Sequence, residues 1–200
     1  MTGQPTLTDG VVWLTPFTIV DGVAIGDFNL DEDHRRWFDQ PPVDPDPEAR
    51  RRHGEEVALR WGRAWTSGEE LAFAVRRSPD GEAIGMSELR PAPGDGADIS
   101  YAIAPAWRRR GYAARAVRLL ADAAIEQLGF GRIELRCDVD NLASARTAER
   151  AGFTFERIDP DAGVFEHVPE WAGGAPRGER VYSRDRPPGS APMNPVEGMP

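Results

Sequence analysis

Asp98-Ile99-Ser100-Tyr101-Ala102-Ile103-Ala104-Pro105-Ala106-Trp107-Arg108-Arg109-Arg110-Gly111-Tyr112-Ala113 is the stretch that decides how this chain is read. Ile99, Tyr101 and Ile103 alternate with Asp98, Ser100 and Ala102, the period of a half-buried strand. Pro105 ends the strand, a basic turn with a glycine follows, and an amphipathic helix starts at Tyr112. That order builds an anion site. Main-chain N–H groups and the positive end of the helix dipole point into a turn carrying Arg108, Arg109 and Arg110. Gly111 allows close backbone approach, and Ala113 lets a ligand lie against the first helical turn. A diphosphate is the natural guest.

The periodicity predicts a helix over 112–128, with Val117, Leu120, Ala121, Ala124 and Leu128 as its buried stripe and Gly129 as its stop. Upstream, 71–76 and 83–89 read as strands joined by Ser78-Pro79-Asp80-Gly81, a hairpin signal. A first strand is expected over 11–14, short helices over 21–28 and 31–38, the second capped by Asp31, and a longer helix from Pro47 to about Trp65. Downstream, 133–139 alternates as a strand, 143–150 is a short helix stopped by Gly152, and 153–158 and 179–184 are strands. Residues 159–178 read as a loop and 187–200 as a disordered tail, so the expected domain is 1–186. Hairpins early and late, with strand and helix alternating between, predict an α/β (α+β) fold with helices on both faces of a mixed sheet.

A second motif follows about thirty residues after the basic turn. Strand 133–139 leads into Asn141-Leu142-Ala143-Ser144-Ala145-Arg146 and then Glu149-Arg150-Ala151-Gly152-Phe153. Together the two motifs resemble the GNAT superfamily of N-acetyltransferases. Arg108, Gly111 and Ala113 match its Gln/Arg-x-x-Gly-x-Gly/Ala phosphate loop; Asn141, Ser144, Gly152 and Phe153 match its second signature. The wording is most similar to the RimJ/RimL-like branch. The strong match covers about residues 83–158.

That resemblance implies a mostly antiparallel sheet with a splayed parallel pair in its middle, strands 98–103 and 133–139, commonly parted by a bulge. It implies acetyl-CoA as co-substrate, its diphosphate on Arg108, Arg109, Arg110, Gly111, Tyr112 and Ala113. Its pantetheine arm would run along Tyr101 and Ile103 as an added strand, with Asn141, Ser144 and Arg146 opposite. Asn141 also reads as a helix cap. The expected reaction is direct acetyl transfer to a primary amine, of a protein N-terminus or a small molecule, with no metal and no covalent enzyme intermediate. Many relatives supply a tyrosine on the second-signature helix as the acid; aligned here is Ala148, so Ser144 takes that role. Glu88, at a strand end near the slot, is the base candidate, beside Asp98 and Glu134. The branch leaves a homodimer open.

Composition narrows the alternatives. The net charge of -9 disfavours nucleic acid as partner. All basic residues are arginine, so the Gly-Lys-Ser/Thr type of phosphate loop is absent. No apolar run approaches the roughly 18–20 residues of a membrane span, and the N-terminus lacks a basic patch followed by an apolar stretch, so a cytoplasmic location is expected. Cys137, the single cysteine, has the parity of a buried core thiol. His34, His53 and His167 have no metal spacing and read as solvated or capping residues. Trp37, Trp61 and Trp65 read as core or, alternatively, as lining of an acceptor pocket, while Trp171, with Phe165 and Tyr182, is a candidate cover for the acceptor site. The alternative to an enzyme is a silent acyl-CoA-binding sensor or interaction module on the same fold.

Overall fold

Alternating apolar residues on strands and apolar stripes on helices bury each other in two layers, one on either face of a single sheet. The computed structural model describes residues 5–38, 44–160 and 178–189. In chain order come β1 (Leu7–Thr8), β2 (Trp13–Pro16), a 3-10 turn (Ile19–Asp21), α1 (Gly22–Phe28), α2 (Glu32–Trp37) and α3 (Pro47–Ser67). Then follow β3 (Leu71–Arg76), β4 (Gly85–Pro91), β5 (Gly96–Ile103), a 3-10 turn (Pro105–Trp107) and α4 (Tyr112–Glu126). The rest is β6 (Arg132–Asp138), α5 (Leu142–Arg150), β7 (Thr154–Asp159) and β8 (Glu179–Asp185).

The sheet order is β1-β2-β3-β4-β5-β6-β8-β7, with β5 and β6 as its parallel pair and every other neighbour antiparallel. The expected mixed sheet with a central parallel pair is what forms. The first strand is shifted: Val12 is fully buried just before β2, and the strand begins at Trp13, with β1 ahead of it. Residues 161–177 and 190–200, with Phe165, His167 and Trp171, lie outside the described residues.

Strand parity divides the core. Leu71, Phe73, Val75, Leu89, Ile99, Ile103, Ile133 and Leu135 face α4 and α5, meeting Val117, Leu120, Ala121 and Ala124, all four fully buried. Each such Val, Leu or Ile side chain contributes about 1.5–3 kcal/mol by leaving water. Cys137 and Tyr182 are buried in this same layer. Tyr182 packs edge-on against Phe155 at 5.5 Å, so the expectation that it covers the acceptor site fails: its place in the β8 register turns it inward.

Ala72, Ala74 and Met86 face the other way, toward Phe17, Ile25, Phe28, Ala58 and Trp61. Here α1 and α3 touch backbone to backbone. A Cβ built on Gly54 would lie 1.9 Å from the carbonyl oxygen of Gly22, and one on Gly26 would lie 2.3 Å from that of Arg50. This contact turns the buried stripe of α3 to Gly54, Ala58, Trp61 and Trp65, leaving Val57 and Ala64 at its flank. Arg76 fastens the layer to the sheet. Its Nη2 donates to both oxygens of buried Asp21 at 2.8 and 2.7 Å, while Nε donates to Thr15 and Nη1 to Gly81 O.

Candidate active site

β5 and β6 pair only at Gly96–Arg132, Ala97–Ile133 and Asp98–Glu134. Beyond these they part, and a cleft of about 1190 Å³ occupies the gap, with Ile99 to Ile103 on one side and Leu135 to Asp138 on the other. The β4–β5 register runs unbroken from Gly85–Ile103 to Pro91–Ala97. The strands therefore part without the bulge expected in β5. Ala104 N donates to Ile84 O, so by antiparallel alternation the even residues bond toward β4. The N–H groups of Ile99, Tyr101 and Ile103 face the gap.

At the far end of the gap stands the start of α4. Gly111 is its N-cap at φ +83°, no side chain caps the helix, and a Cβ on Gly111 would meet nothing within 4 Å. The first N–H groups of α4 thus open onto the cleft, which Gly111, Tyr112 and Ala113 line. Arg109 precedes them in the left-handed region, φ +60°, a conformation uncommon for a side chain with a Cβ.

The three guanidiniums have separate fates. Arg108 is turned back: Nε donates to Ile103 O at 2.9 Å, and the rest of the group pairs with Asp31, the cap of α2, and with Asp33 in its first turn. Arg110 lies over the Trp107 ring at 5.1 Å, and Arg77 lies over the same ring at 4.9 Å. Arg109 is exposed and lines the cleft.

On the α5 side, Asn141 is the helix cap, its Oδ1 accepting from Ser144 N at 3.0 Å. Buried Ser144 receives the Tyr101 hydroxyl at 3.1 Å. Burial pushes both the Tyr101 phenol and the Cys137 thiol up from their ordinary values. Ser144, Arg146 and Thr147 line the cleft, with Arg146 exposed. Ala148 is fully buried in the core beneath α5. Ser144 and Thr147 line the gap, and Ala148 lies one turn along from Ser144 on the buried face of α5.

The other wall belongs to the α1–α3 layer. Glu88 is buried, with Oε1 accepting from Ser100 Oγ at 2.6 Å and forming an ion pair with Arg90 Nη1 at 2.7 Å. Glu70, which the sequence reading passed over, accepts from Trp61 Nε1 at 2.9 Å and neighbours the Glu88 carboxyl. Burial first, and then the neighbouring carboxyl, push Glu70 up to about 7. The signal was in the hairpin: pairing Ala72 with Glu88 sets Glu70 on the same face, one diagonal away. Of the other base candidates, Glu134 is held by Arg132 and Arg136 at 3.1 and 2.7 Å. Asp98 lines the cleft, and burial raises its carboxyl above the usual range.

His34 departs from the solvated role expected of it. It is buried, stacked on Phe38 at 4.6 Å and near Phe28 at 6.4 Å, and desolvation pushes its imidazole down to about 4. Trp61 and Trp37 line the cleft, Trp61 also stacking on Phe17 at 4.6 Å, while Trp65 packs against Phe73 in the core. Among the described residues no helix is long and apolar enough to cross a membrane, and no group of His, Cys, Asp and Glu could hold a metal ion.

Comparison with known proteins places this geometry. The RimJ protein of Mycobacterium smegmatis, solved in complex with CoA-disulfide, superposes with a TM-score of 0.71 at 20% identity, over 92% of this chain and 87% of that one. A GNAT-family acetyltransferase from Bacillus anthracis gives 0.71 at 16% identity, over 90% and 98%. A probable GNAT-family acetyltransferase from Chromobacterium violaceum ATCC 12472 gives 0.70 at 26% identity, over 92% and 89%. By sequence, the uncharacterized N-acetyltransferase YjdG of Bacillus subtilis (strain 168) is 38% identical over 56 residues, 28% of this chain and 33% of that protein. That match spans about a third of the length of this curated relative. Residues 12–154 match the family model described as Acetyltransferase (GNAT) domain. That match covers most of the chain, on a sheet that parts between β5 and β6, and the chain therefore belongs to the GNAT acetyltransferase family.

Proposed function

We propose that this protein is an N-acetyltransferase that moves the acetyl group of acetyl-CoA directly to a primary amine. The observation that carries the reading is the gap between β5 and β6, leading from the uncapped start of α4 to a buried hydroxyl on one side and a buried carboxylate on the other. Acetyl-CoA enters as a substrate. The N–H groups of Tyr112, Ala113 and Ala114, with Arg109, suit its diphosphate, and the N–H groups of Tyr101 and Ile103 suit the amide-rich arm. The coenzyme A held by the RimJ relative supports the same choice.

In this reading the amine attacks the thioester carbon. The N–C bond forms, the C–S bond breaks, and the proton on nitrogen passes to Glu88. The departing thiolate takes a proton from Ser144, which Tyr101 resupplies through their hydrogen bond. Gap-facing N–H groups of β5 stabilise the oxyanion. The acceptor is an amine of a peptide N-terminus or a small molecule, entering past Trp37 and Trp61.

Thermal shift with acetyl-CoA, ATP and NAD tests the donor, and thiol release over a panel of amines and peptides tests the transfer. Stabilisation by acetyl-CoA alone together with amine-dependent thiol release is the expected result. Binding without release for any amine returns the protein to the silent-binder alternative, and no preference for acetyl-CoA sinks both.

A further inference from the structure

We propose that Arg108 is a positioning residue for the acceptor: through its ion pairs with Asp31 and Asp33 it holds α2, and with it part of the wall that receives the amine, at the end of β5. The inference rests on the acyl-transfer reading above, and it assigns Arg108 to the acceptor side rather than to the diphosphate.

One guanidinium joins β5, α2 and the turn before α4. Its Nε donates to Ile103 O, on the last residue of β5, at 2.9 Å. Nη1 donates to Asp33 at 3.1 Å, and Nη2 pairs with Asp31. The Arg108 and Asp31 side chains are 33% and 14% exposed, so water screens this pair less than it screens a surface pair. A planar fork can meet such separated acceptors together, a geometry that a single ammonium matches poorly. Arg109, the next residue, stays exposed on the cleft for the diphosphate.

The helix needs such a tie. It is six residues long, and among the described residues no helix or strand packs along it. Space lies on either side. Asp33, His34 and Trp37 line the cleft, Asp31, His34 and Phe28 line a second cavity of about 330 Å³, and Arg108 borders both. A wall without close packing behind it opens at low cost unless a specific contact holds it. That contact is separate from the helix itself. Asp31 caps α2 by accepting from His34 N at 3.1 Å, a bond in which Arg108 has no part. Loss of Arg108 therefore releases α2 as a formed helix, and the acceptor site loses Asp33, His34 and Trp37 together.

The test compares wild type with Arg108→Gln, Arg108→Lys and the double variant Asp31→Asn/Asp33→Asn, all as full chains. Asparagine caps a helix as well as aspartate does, so the double variant removes the ion pairs and spares α2. The first readout is kinetic, with the amine found by the thiol-release screen. Arg108→Gln should raise KM for that amine by about five- to tenfold, with much less change in kcat and with calorimetric acetyl-CoA affinity unchanged. The double variant should match it, and adding Arg108→Gln to the double variant should cost little more. Arg108→Lys should recover part of the loss.

The second readout needs no substrate: the His34 ring, followed by NMR between about pH 5 and 8. Burial is the largest cause holding that imidazole down at about 4; Asp31 raises it, Arg108 lowers it and Glu88 raises it. Wild type should therefore show no His34 titration in this range. In the double variant the causes oppose each other. Loss of the Asp31 charge alone would lower the imidazole further, whereas release of α2 into water brings it toward about 6.5. A titration inside the range is expected. A double variant whose His34 stays silent overturns the proposal. An Arg108→Gln chain that loses acetyl-CoA affinity and keeps its amine KM also overturns it, and returns Arg108 to the diphosphate. If wild type turns over no amine, acyl transfer fails as a reading, and the His34 ring still decides whether Arg108 holds α2. If Arg108→Gln does not fold, the double variant decides by the same two readouts.

Discussion

The two walls of the cleft are built from different materials. The wall that the proposed function gives to acetyl-CoA is mostly main chain: the gap-facing edge of β5 and the first turn of α4, drawn from residues 99–114, with α5 contributing from 141–147. The wall that the proposed function gives to the acceptor is side chains brought together from α2, α3, the residue before β3, and β4, namely His34, Trp61, Glu70 and Glu88. Main-chain recognition depends on backbone shape, which a few glycines and a helix start specify locally. Side-chain recognition depends on how distant elements pack. One wall should therefore fail through a single backbone change, and the other through a change in helix packing far from any reacting atom.

The largest effect expected is on the first wall. Gly111→Asp places a carboxylate and a Cβ at φ +83°, in open space directly before the free N–H groups of α4. It is strained, it fills the cradle, and it repels a diphosphate. Acetyl-CoA affinity by calorimetry should fall by at least about 100-fold, or about 2.7 kcal/mol. Unchanged affinity would mean that the diphosphate sits elsewhere.

Next comes the second wall. Gly54→Ala drives a methyl group into the backbone of α1 at Gly22, with no side chain able to yield. The helices must separate, at a cost of about 1–3 kcal/mol for an overpacked contact. The movement shifts Trp61, and with it Glu70. Denaturant unfolding should show the loss, and KM for the amine should rise while acetyl-CoA affinity holds. Equal damage to both ligands would erase the distinction between the walls.

The same contrast explains what the sequence revealed. Arg108-Arg109-Arg110-Gly111 and Asn141-x-x-Ser144 are local signals, and the strand, turn, helix and cap they predicted lie where expected. The parity of Ile133, Leu135 and Cys137 likewise assigned their face correctly. What stayed hidden was pairwise. Nothing near Arg108 announces that Asp31 and Asp33, more than seventy residues away, will occupy its guanidinium. Isolated glycines in helices do not declare that they meet, so the α1–α3 contact and the true stripe of α3 went unread. His34 was read as solvated or capping because one of the two rings that bury it, Phe28, comes from a separate helix, α1.

Between the walls, Ser144→Ala removes a hydroxyl that meets Tyr101 and leaves the Asn141 cap intact, since the cap bonds the backbone N–H of residue 144. Turnover should fall by roughly tenfold or more with little change in acetyl-CoA affinity. Rescue by Ser144→Thr would tie the loss to the hydroxyl. An alanine variant with full turnover would pass the proton-donating role to Tyr101 or to water.

The smallest effect reads the acceptor wall through pH. His34 titrates at about 4 in the folded protein because burial disfavours its charged form; the unfolded chain binds the same proton near 6.5. The unfolded state therefore holds more protons between these values, so stability attributable to His34 is whole above about pH 6.5 and declines as pH falls toward 4. By pH 6 the loss is under about 1 kcal/mol, and it grows further into acid. Substituting His34→Phe keeps a ring against Phe28 and Phe38 and removes the titration. Stability measured at pH 7, 6 and 5 should slope less steeply in this variant than in wild type. Parallel slopes would place His34 in solvent, and the packing of α2 against the cleft would then need to be redrawn.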